Sequence, residues 1–243
     1  MKEVKLITET IANIVFPPRC INCGGFITSQ GNLCQNCWRH ITFSTNPACD
    51  ICGYPFEFTV RGITLCAECV ANRPLYNKAR FVFNYDDTTR SLITRFKYND
   101  KTHYVHSFAK WLNQAGKEII EQSDVIIPVP LHRFKLFLRR YNQSALICQS
   151  LAKLCHKAVC LDLLIRQKYT SPQAGLTRKK RMENVTGAFI VNKKYYDFIQ
   201  DKNILLVDDV ITTGTTIHYC TKTLLNSGAK AVNVLTVARR IKT

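Results

Sequence analysis

The stretch I-L-L-V-D-D-V-I-T-T-G-T-T, residues 204–216, decides how this chain folds. Four apolar residues, Ile204 to Val207, read as a strand buried on both faces, the pattern of a parallel sheet covered by helices. The run ends in two carboxylates, Asp208 and Asp209. Thr212, Thr213, Gly214, Thr215 and Thr216 then lead into a helical pattern, T-T-I-H-Y-C-T-K-T-L-L-N-S, which stops at Gly228. In such sheets ligands bind beyond the carboxyl ends of the strands. A helix N-terminus there offers free backbone N–H groups to an anion, and threonine hydroxyls add donors. Gly214 lets the backbone approach closely. The loop therefore suits a phosphate, while the carboxylates ahead of it suit sugar hydroxyls or a bridging metal. Sugar on one side and phosphate on the other describe a ribose 5-phosphate. The plain alternative is an ordinary strand-to-helix turn with a threonine cap.

Outward from this stretch, strands and helices alternate from Arg73-Pro74 onward. A-R-F-V-F-N-Y reads as a strand, T-R-S-L-I-T-R-F-K-Y as the helix after it, and H-S-F-A-K-W-L-N-Q-A-G-K-E-I-I as an amphipathic helical stretch. V-I-I-P-V-P is a short buried strand, followed by the helix N-Q-S-A-L-I-C-Q-S-L-A-K-L-C-H-K. G-A-F-I-V and A-V-N-V-L-T-V-A read as further strands. This alternation predicts an α/β fold with a parallel sheet. Cys148 and Cys155 on one helix face, with Cys160 and Cys220 among apolar neighbours, read as packing residues. His103 and His106 lack further ligands for a metal.

The other eight cysteines form four C-x-x-C pairs: Cys20/Cys23, Cys34/Cys37, Cys49/Cys52 and Cys66/Cys69. The segment is an internal repeat: C-I-N-C-G-G-F matches C-D-I-C-G-Y-P, and N-L-C-Q-N-C matches T-L-C-A-E-C. Two thiolates two residues apart reach one metal from a tight turn, and two such turns complete a tetrahedral four-thiolate site. The repeat favours sequential pairing, with Cys20, Cys23, Cys34 and Cys37 on one Zn²⁺ and Cys49, Cys52, Cys66 and Cys69 on another. An interleaved arrangement stays open. A closed four-thiolate site has no open position, so both zincs read as structural.

The formal net charge of +17 is uneven. Residues 1–72 hold five basic and five acidic residues, whereas residues 131–182 hold twelve Lys or Arg and a single acid, Asp162. That concentration points to a polyanionic partner: a phosphate-rich ligand, nucleic acid or an acidic membrane surface. Phe134, Phe137, Tyr141 and Tyr169 lie among the charges. Rings beside cations suit single-strand stacking, although Phe137 reads as core. The apolar runs are too short to span a bilayer, and Met1 to Pro18 lacks a cleavage-site pattern. Val4, Ile7, Ile11, Ile14 and Val15 instead predict a helix packing on its own protein, with a docking face as the alternative. A cytoplasmic protein is expected, with peripheral association at the inner face of the cytoplasmic membrane left open.

The stretch L-L-V-D-D-V-I-T-T-G-T-T closely resembles the phosphoribosyl-pyrophosphate (PRPP) signature of type I phosphoribosyltransferases. A wider pattern joins it: the four cysteine pairs, P-V-P-L-H-R-x-K-x-x-x-R-R-Y-N-Q, and S-P-Q-A-G-L-T-R-x-x-R-x-x-N-V-x-G-A-F. Together they resemble the ComF family of bacterial competence and DNA-utilisation proteins, over nearly the whole chain. The resemblance implies a type I phosphoribosyltransferase-like parallel sheet over residues 74–243, with an N-terminal helix and small double zinc-ribbon domain over residues 1–73. It implies that Asp208 and Asp209 hold the ribose hydroxyls and that Thr212, Thr213, Gly214, Thr215 and Thr216 hold the 5-phosphate, with Mg²⁺ as an accompanying ion. Val129 to Arg133, including Leu131, His132 and Arg133, match the pyrophosphate-loop position. Thr170 to Arg181 fall where transferases keep a mobile loop.

The resemblance also implies handling of single-stranded DNA during natural transformation, with uptake-channel and helicase-type partners. Arg133, Lys135, Arg139 and Arg140, with Arg178, Lys179, Lys180 and Arg181, are the expected nucleic-acid contacts. One departure stands out. The sequence given ends soon after its last strand and shows no C-terminal hood, the N-terminal position is filled by ribbons, and no residue reads as an acceptor contact or general base. Three readings stay open: a nucleic-acid handling protein, an active phosphoribosyltransferase with an unknown acceptor, and a module that senses the phosphoribosyl ligand.

Overall fold

The computed structural model describes residues 17–29, 31–58, 62–98, 104–168 and 186–241. The expected N-terminal helix and the segment Thr170 to Arg181 lie outside these. In the cysteine segment two short helices, α1 (Gln35–Arg39) and α2 (Ala67–Ala71), each start after the first cysteine of a pair. The main body begins with β1 (Ala79–Asn84), α3 (Asp87–Tyr98), α4 (Tyr104–Ala115) and α5 (Lys117–Glu121). It continues through β2 (Val125–Pro128), α6 (Arg133–Arg139), α7 (Gln143–Cys155), β3 (Ala158–Val159), β4 (Leu164–Arg166) and β5 (Phe189–Val191). Last come α8 (Tyr196–Ile199), β6 (Asn203–Ile211), α9 (Thr215–Asn226) and β7 (Ala231–Arg239).

Five strands form one sheet in the order β1-β7-β6-β2-β3, with every pair parallel. The opening stretch lies on β6, near its centre. Alternation along β6 sends Leu205 and Val207 into the core under α3, α4 and α7, and Ile204 and Leu206 into the core under α9. The sheet is thus buried on both faces, as the apolar runs predict. G-A-F-I-V does contain a strand, but β5 pairs antiparallel with β4 in a separate two-stranded hairpin. The amphipathic stretch from His106 breaks into α4 and α5 at Gly116, where a Cβ would sit 2.7 Å from Leu235 Cδ1 and 3.1 Å from the Leu112 carbonyl. A side chain at this close approach to β7 would force Leu235 to shift.

The step in charge at residue 73 is not a break in packing. Cys20, Ile21, Leu33, Cys37 and Ile41 share one core with Phe83, Phe96 and Phe108. Ring contacts run from Trp38 to Phe43 at 4.6 Å, Phe43 to Phe83 at 5.0 Å and Phe83 to Trp111 at 5.3 Å. Ser44 N–H donates to the Val82 carbonyl and Asn84 N–H to the Thr42 carbonyl, so residues 42–44 cover the edge of β1. The second cysteine group keeps its own small core with Ile51 and touches β1 through the Ala79 N–H to Ile51 carbonyl bond.

Candidate functional site

The carboxyl edge of the sheet gathers the candidate residues. Val129 N–H donates to the Val207 carbonyl at 2.9 Å, which holds the loop after β2 against the end of β6. Leu131, His132 and Arg133 therefore emerge on the same edge as Asp208. From Asp208 to Ile217 the chain lines a small concavity with Thr212, Thr213, Gly214, Thr215 and Thr216. Gly214 has φ +75°, a left-handed conformation that favours glycine, and precedes the first residue of α9. No side chain caps this helix N-terminus, and Thr213 Oγ1 and Thr215 Oγ1 lie 3.0 Å apart beside it. Hydroxyls and N–H groups gathered around an uncapped twelve-residue helix start are the chemistry that suits an anion.

The two carboxylates differ. Asp208 Oδ1 accepts from Ser144 Oγ at 3.1 Å and from the Asp209 N–H at 2.8 Å. Loss of solvent, then the neighbouring Asp209 charge, push the Asp208 carboxyl up to about 7. Asp209 pairs with Lys97 Nζ at 2.8 Å. Burial works against the Lys97 ammonium, but Asp209 and then Asp208 hold its pKa above the ordinary value.

Lys97 is carried in from the end of α3, and the R-R-Y-N-Q motif fixes it there. Tyr141 OH donates to the Phe96 carbonyl, and Gln143 Nε2 to the Lys97 carbonyl at 3.1 Å. Asn142 caps α7 by accepting from Ser144 N–H and ties back to the Val129 carbonyl. This motif therefore joins the lysine, the loop after β2 and the serine that touches Asp208.

Cations crowd the opposite side of the loop. His132 is buried and caps α6, its Nδ1 accepting from Phe134 N–H at 3.3 Å. Burial, then Arg133, Arg166 and Lys135, push its pKa below the ordinary value. Burial, then Arg166 and Arg139, lower the pKa of Lys135. Arg166 sits over the Phe189 ring at 5.4 Å, and burial lowers its pKa in turn. Phe137 corrects the sequence reading: it is 84% exposed and not a core residue. Arg178, Lys179, Lys180 and Arg181 lie outside the described residues. Lys97, Ser144 and Arg166 escaped the sequence reading, because each comes from a segment remote from the signature and none carries a local motif.

The cysteines pair sequentially. The sulfurs of Cys20, Cys23, Cys34 and Cys37 all lie within 4.8 Å of one another, as do those of Cys49, Cys52, Cys66 and Cys69. Four thiolates at the usual zinc–sulfur distance would stand about 3.8 Å apart, and Cys23–Cys34 and Cys52–Cys66 are already at 3.6 Å. Backbone N–H groups point at these sulfurs: Cys34 N–H to Cys20 Sγ at 3.2 Å and Cys66 N–H to Cys49 Sγ at 3.4 Å. Burial opposes ionisation of Cys20, yet such N–H groups bring its thiol down to about 6. The donor set fits zinc at both positions. Arg239 lies beside the second tetrad and donates to the Cys52 carbonyl, a cation next to what becomes an anionic cluster.

Comparison with known proteins agrees with this geometry. A double zinc ribbon domain family matches residues 11–70, and a phosphoribosyl transferase domain family matches residues 147–243. Competence protein F of Haemophilus influenzae is 30% identical over 229 residues, covering 91% of this chain and 96% of that protein. The chain belongs to the ComF family of competence proteins. Other relatives are DNA utilization protein YhgH of Escherichia coli K12, 26% identical over 86% of this chain and 91% of that protein, and competence protein ComFC of Bacillus subtilis, 25% identical over 85% and 84%. In this ComF protein, as the resemblance implies, a cysteine-rich ribbon segment precedes a phosphoribosyltransferase-type sheet. No helix among the described residues is long and apolar enough to cross a membrane.

Proposed function

We propose that this ComF protein handles single-stranded DNA in natural competence, on a domain that also binds PRPP or a related ribose 5-phosphate ligand. The observation that carries the DNA reading is the crowding of Lys135, Arg139 and Arg166 on one side of the ligand loop. It is close enough that like charges, after burial, lower the pKa of Lys135. Cations gathered this way are stabilised by a bound polyanion. Arg133 and Arg140 flank the exposed Leu136, Phe137 and Leu138 on the same helix region, and Arg178 to Arg181 add charge from the sequence. The names of the relatives, competence protein and DNA utilization protein, favour DNA as that polyanion. The testing experiment is a titration of the full chain with labelled single-stranded DNA, duplex DNA and PRPP. Single strands should bind more tightly than duplex and independently of their sequence, and PRPP should bind as well. Absence of single-strand binding at low salt would overturn the reading.

A second reading, active phosphoribosyl transfer to an acceptor, is favoured by a separate observation. DNA phosphates have no use for two carboxylates, whereas Asp208, Asp209 and the threonine loop suit a ribose 5-phosphate. Lys97 and Arg166 would face its pyrophosphate, and a Mg²⁺ carried with that group would meet the aspartates. Asp208→Asn with Asp209→Asn should weaken PRPP binding more than about tenfold, since one charge-assisted hydrogen bond is worth about 1.5–3 kcal/mol. Calorimetry with and without Mg²⁺ reads this directly, and unchanged affinity would retire the ligand assignment.

A further inference from the structure

We infer that the first cysteine ribbon is a positioning support of the ligand site, acting through Arg95 and the helix that carries Lys97 to Asp209. The inference rests on the ligand reading of Asp208 to Thr216 given above. The link is α3, whose last turn bears two cations, Arg95 and Lys97. Two residues along a helix turn through about 200°, so this pair faces opposite sides. Lys97 Nζ reaches Asp209 at 2.8 Å. Arg95 donates from Nη1 to the Asn22 carbonyl, in the turn between Cys20 and Cys23. Asn22 serves the sulfur cluster at the same time. Its backbone N–H points at the Cys20 sulfur, and its Nδ2 donates to Cys37 Sγ at 3.5 Å. One residue therefore holds both the metal-binding turn and the helix end.

A helix end needs such partners. Its last carbonyls lack intrahelical donors, and it frays unless other groups hold it. Tyr141 OH donates to the Phe96 carbonyl and Gln143 Nε2 to the Lys97 carbonyl, both from the start of α7. Arg95 holds the ribbon side. Between these supports, Leu92, Ile93 and Phe96 are buried in one core with Cys20, Ile21, Leu33 and Cys37. The plain alternative is that Arg95 and Lys97 only complement the negative end of the helix dipole. That accounts for two cations in the last turn, but not for a separate partner beyond the helix for each. Four thiolates on one Zn²⁺ also leave the tetrad with net negative charge, which favours a guanidinium beside it. Held from both sides, Lys97 is in place before the ligand arrives, and binding does not have to order it.

The test is calorimetry of PRPP on the full chain. The wild type is compared with Lys97→Met, Arg95→Met, Arg95→Lys and the Arg95→Met, Lys97→Met double variant, with bound zinc and thermal melting measured on each. Lys97→Met should weaken PRPP binding about tenfold or more, through loss of a charged partner. Arg95→Met should weaken it roughly two- to thirtyfold with both zinc ions still bound, the range for a residue that acts through another. Arg95→Lys keeps a cation at the Asn22 carbonyl and should recover part of that loss. The double variant should bind no more weakly than Lys97→Met alone, because Arg95 acts through Lys97. Unchanged affinity in Arg95→Met would overturn the proposal. So would additive losses in the double variant, or loss of zinc from Arg95→Met, since either marks a general weakening of the fold. A wild type that binds no PRPP would remove the ligand reading and this proposal together. Binding that is lost in Asp208→Asn with Asp209→Asn but untouched in Arg95→Met would remove this proposal alone.

Discussion

Asp208 concentrates the chemistry of the site. Its carboxyl titrates near 7 in the folded chain and near 3.9 in an unfolded one, because desolvation and Asp209 oppose its charge. Folding is therefore favoured by this group below about pH 4, and that contribution is lost as the pH rises through about 7. Asn at this position can still accept from Ser144 and from the Asp209 N–H, but it carries no charge to desolvate. Asp208→Asn should accordingly raise the melting temperature more at pH 8 than at pH 5. Equal shifts at both pH values would mean that Asp208 is ionised normally. At this scale the sequence was half legible. Asp208 to Thr216 announce themselves because the acidic pair and the threonine-glycine loop are contiguous in the sequence. Lys97 and Ser144 do not, since only the fold brings them to Asp208. Phe137 misled because an apolar ring within F-K-L-F-L looks like core whichever way the helix turns.

Strands and helices were the most readable level. Ile204 to Val207 and V-I-I-P announce buried parallel strands by their unbroken apolar character, and the structure sets β6 and β2 side by side. The short pieces were opaque. β4 has three residues, and α6 mixes cations with apolar side chains at no fixed period. Gly116 shows how a local residue records a distant contact: it stands at the junction of α4 and α5, and Leu235 of β7 fills the space where a side chain would stand. Leu235 is fully buried and has little room to shift. Gly116→Ala should destabilise the chain by about 1–3 kcal/mol through overpacking, measured by denaturant unfolding. A neutral or stabilising result would mean that Leu235 repacks freely.

Across the whole molecule, metal, core and ligand edge are joined. The first tetrad shares its core with Phe83 and Phe108, and Arg239, beside the second tetrad, ends the strand that pairs with Ile211. Metal analysis should give two zinc ions per chain. Cys34→Ser should lower the stability of ribbon and sheet together in a single melting transition, because Cys20, Ile21 and Cys37 line the common core. Two well-separated transitions would show that the segments fold independently. The repeat made the tetrads legible from spacing alone, but the shared core was hidden, because charge and composition change at residue 73 while packing does not.

The most direct test of the DNA-handling claim is the salt dependence of single-strand binding, read by fluorescence anisotropy for the wild type and for Lys135→Gln with Arg139→Gln. Each phosphate contact contributes a log–log slope near −0.7 for single strands, so losing two should flatten the slope by about 1.4 and weaken all sequences alike. Identical slopes and affinities in the two proteins would contradict the claim that the cations beside the ligand loop carry single-stranded DNA.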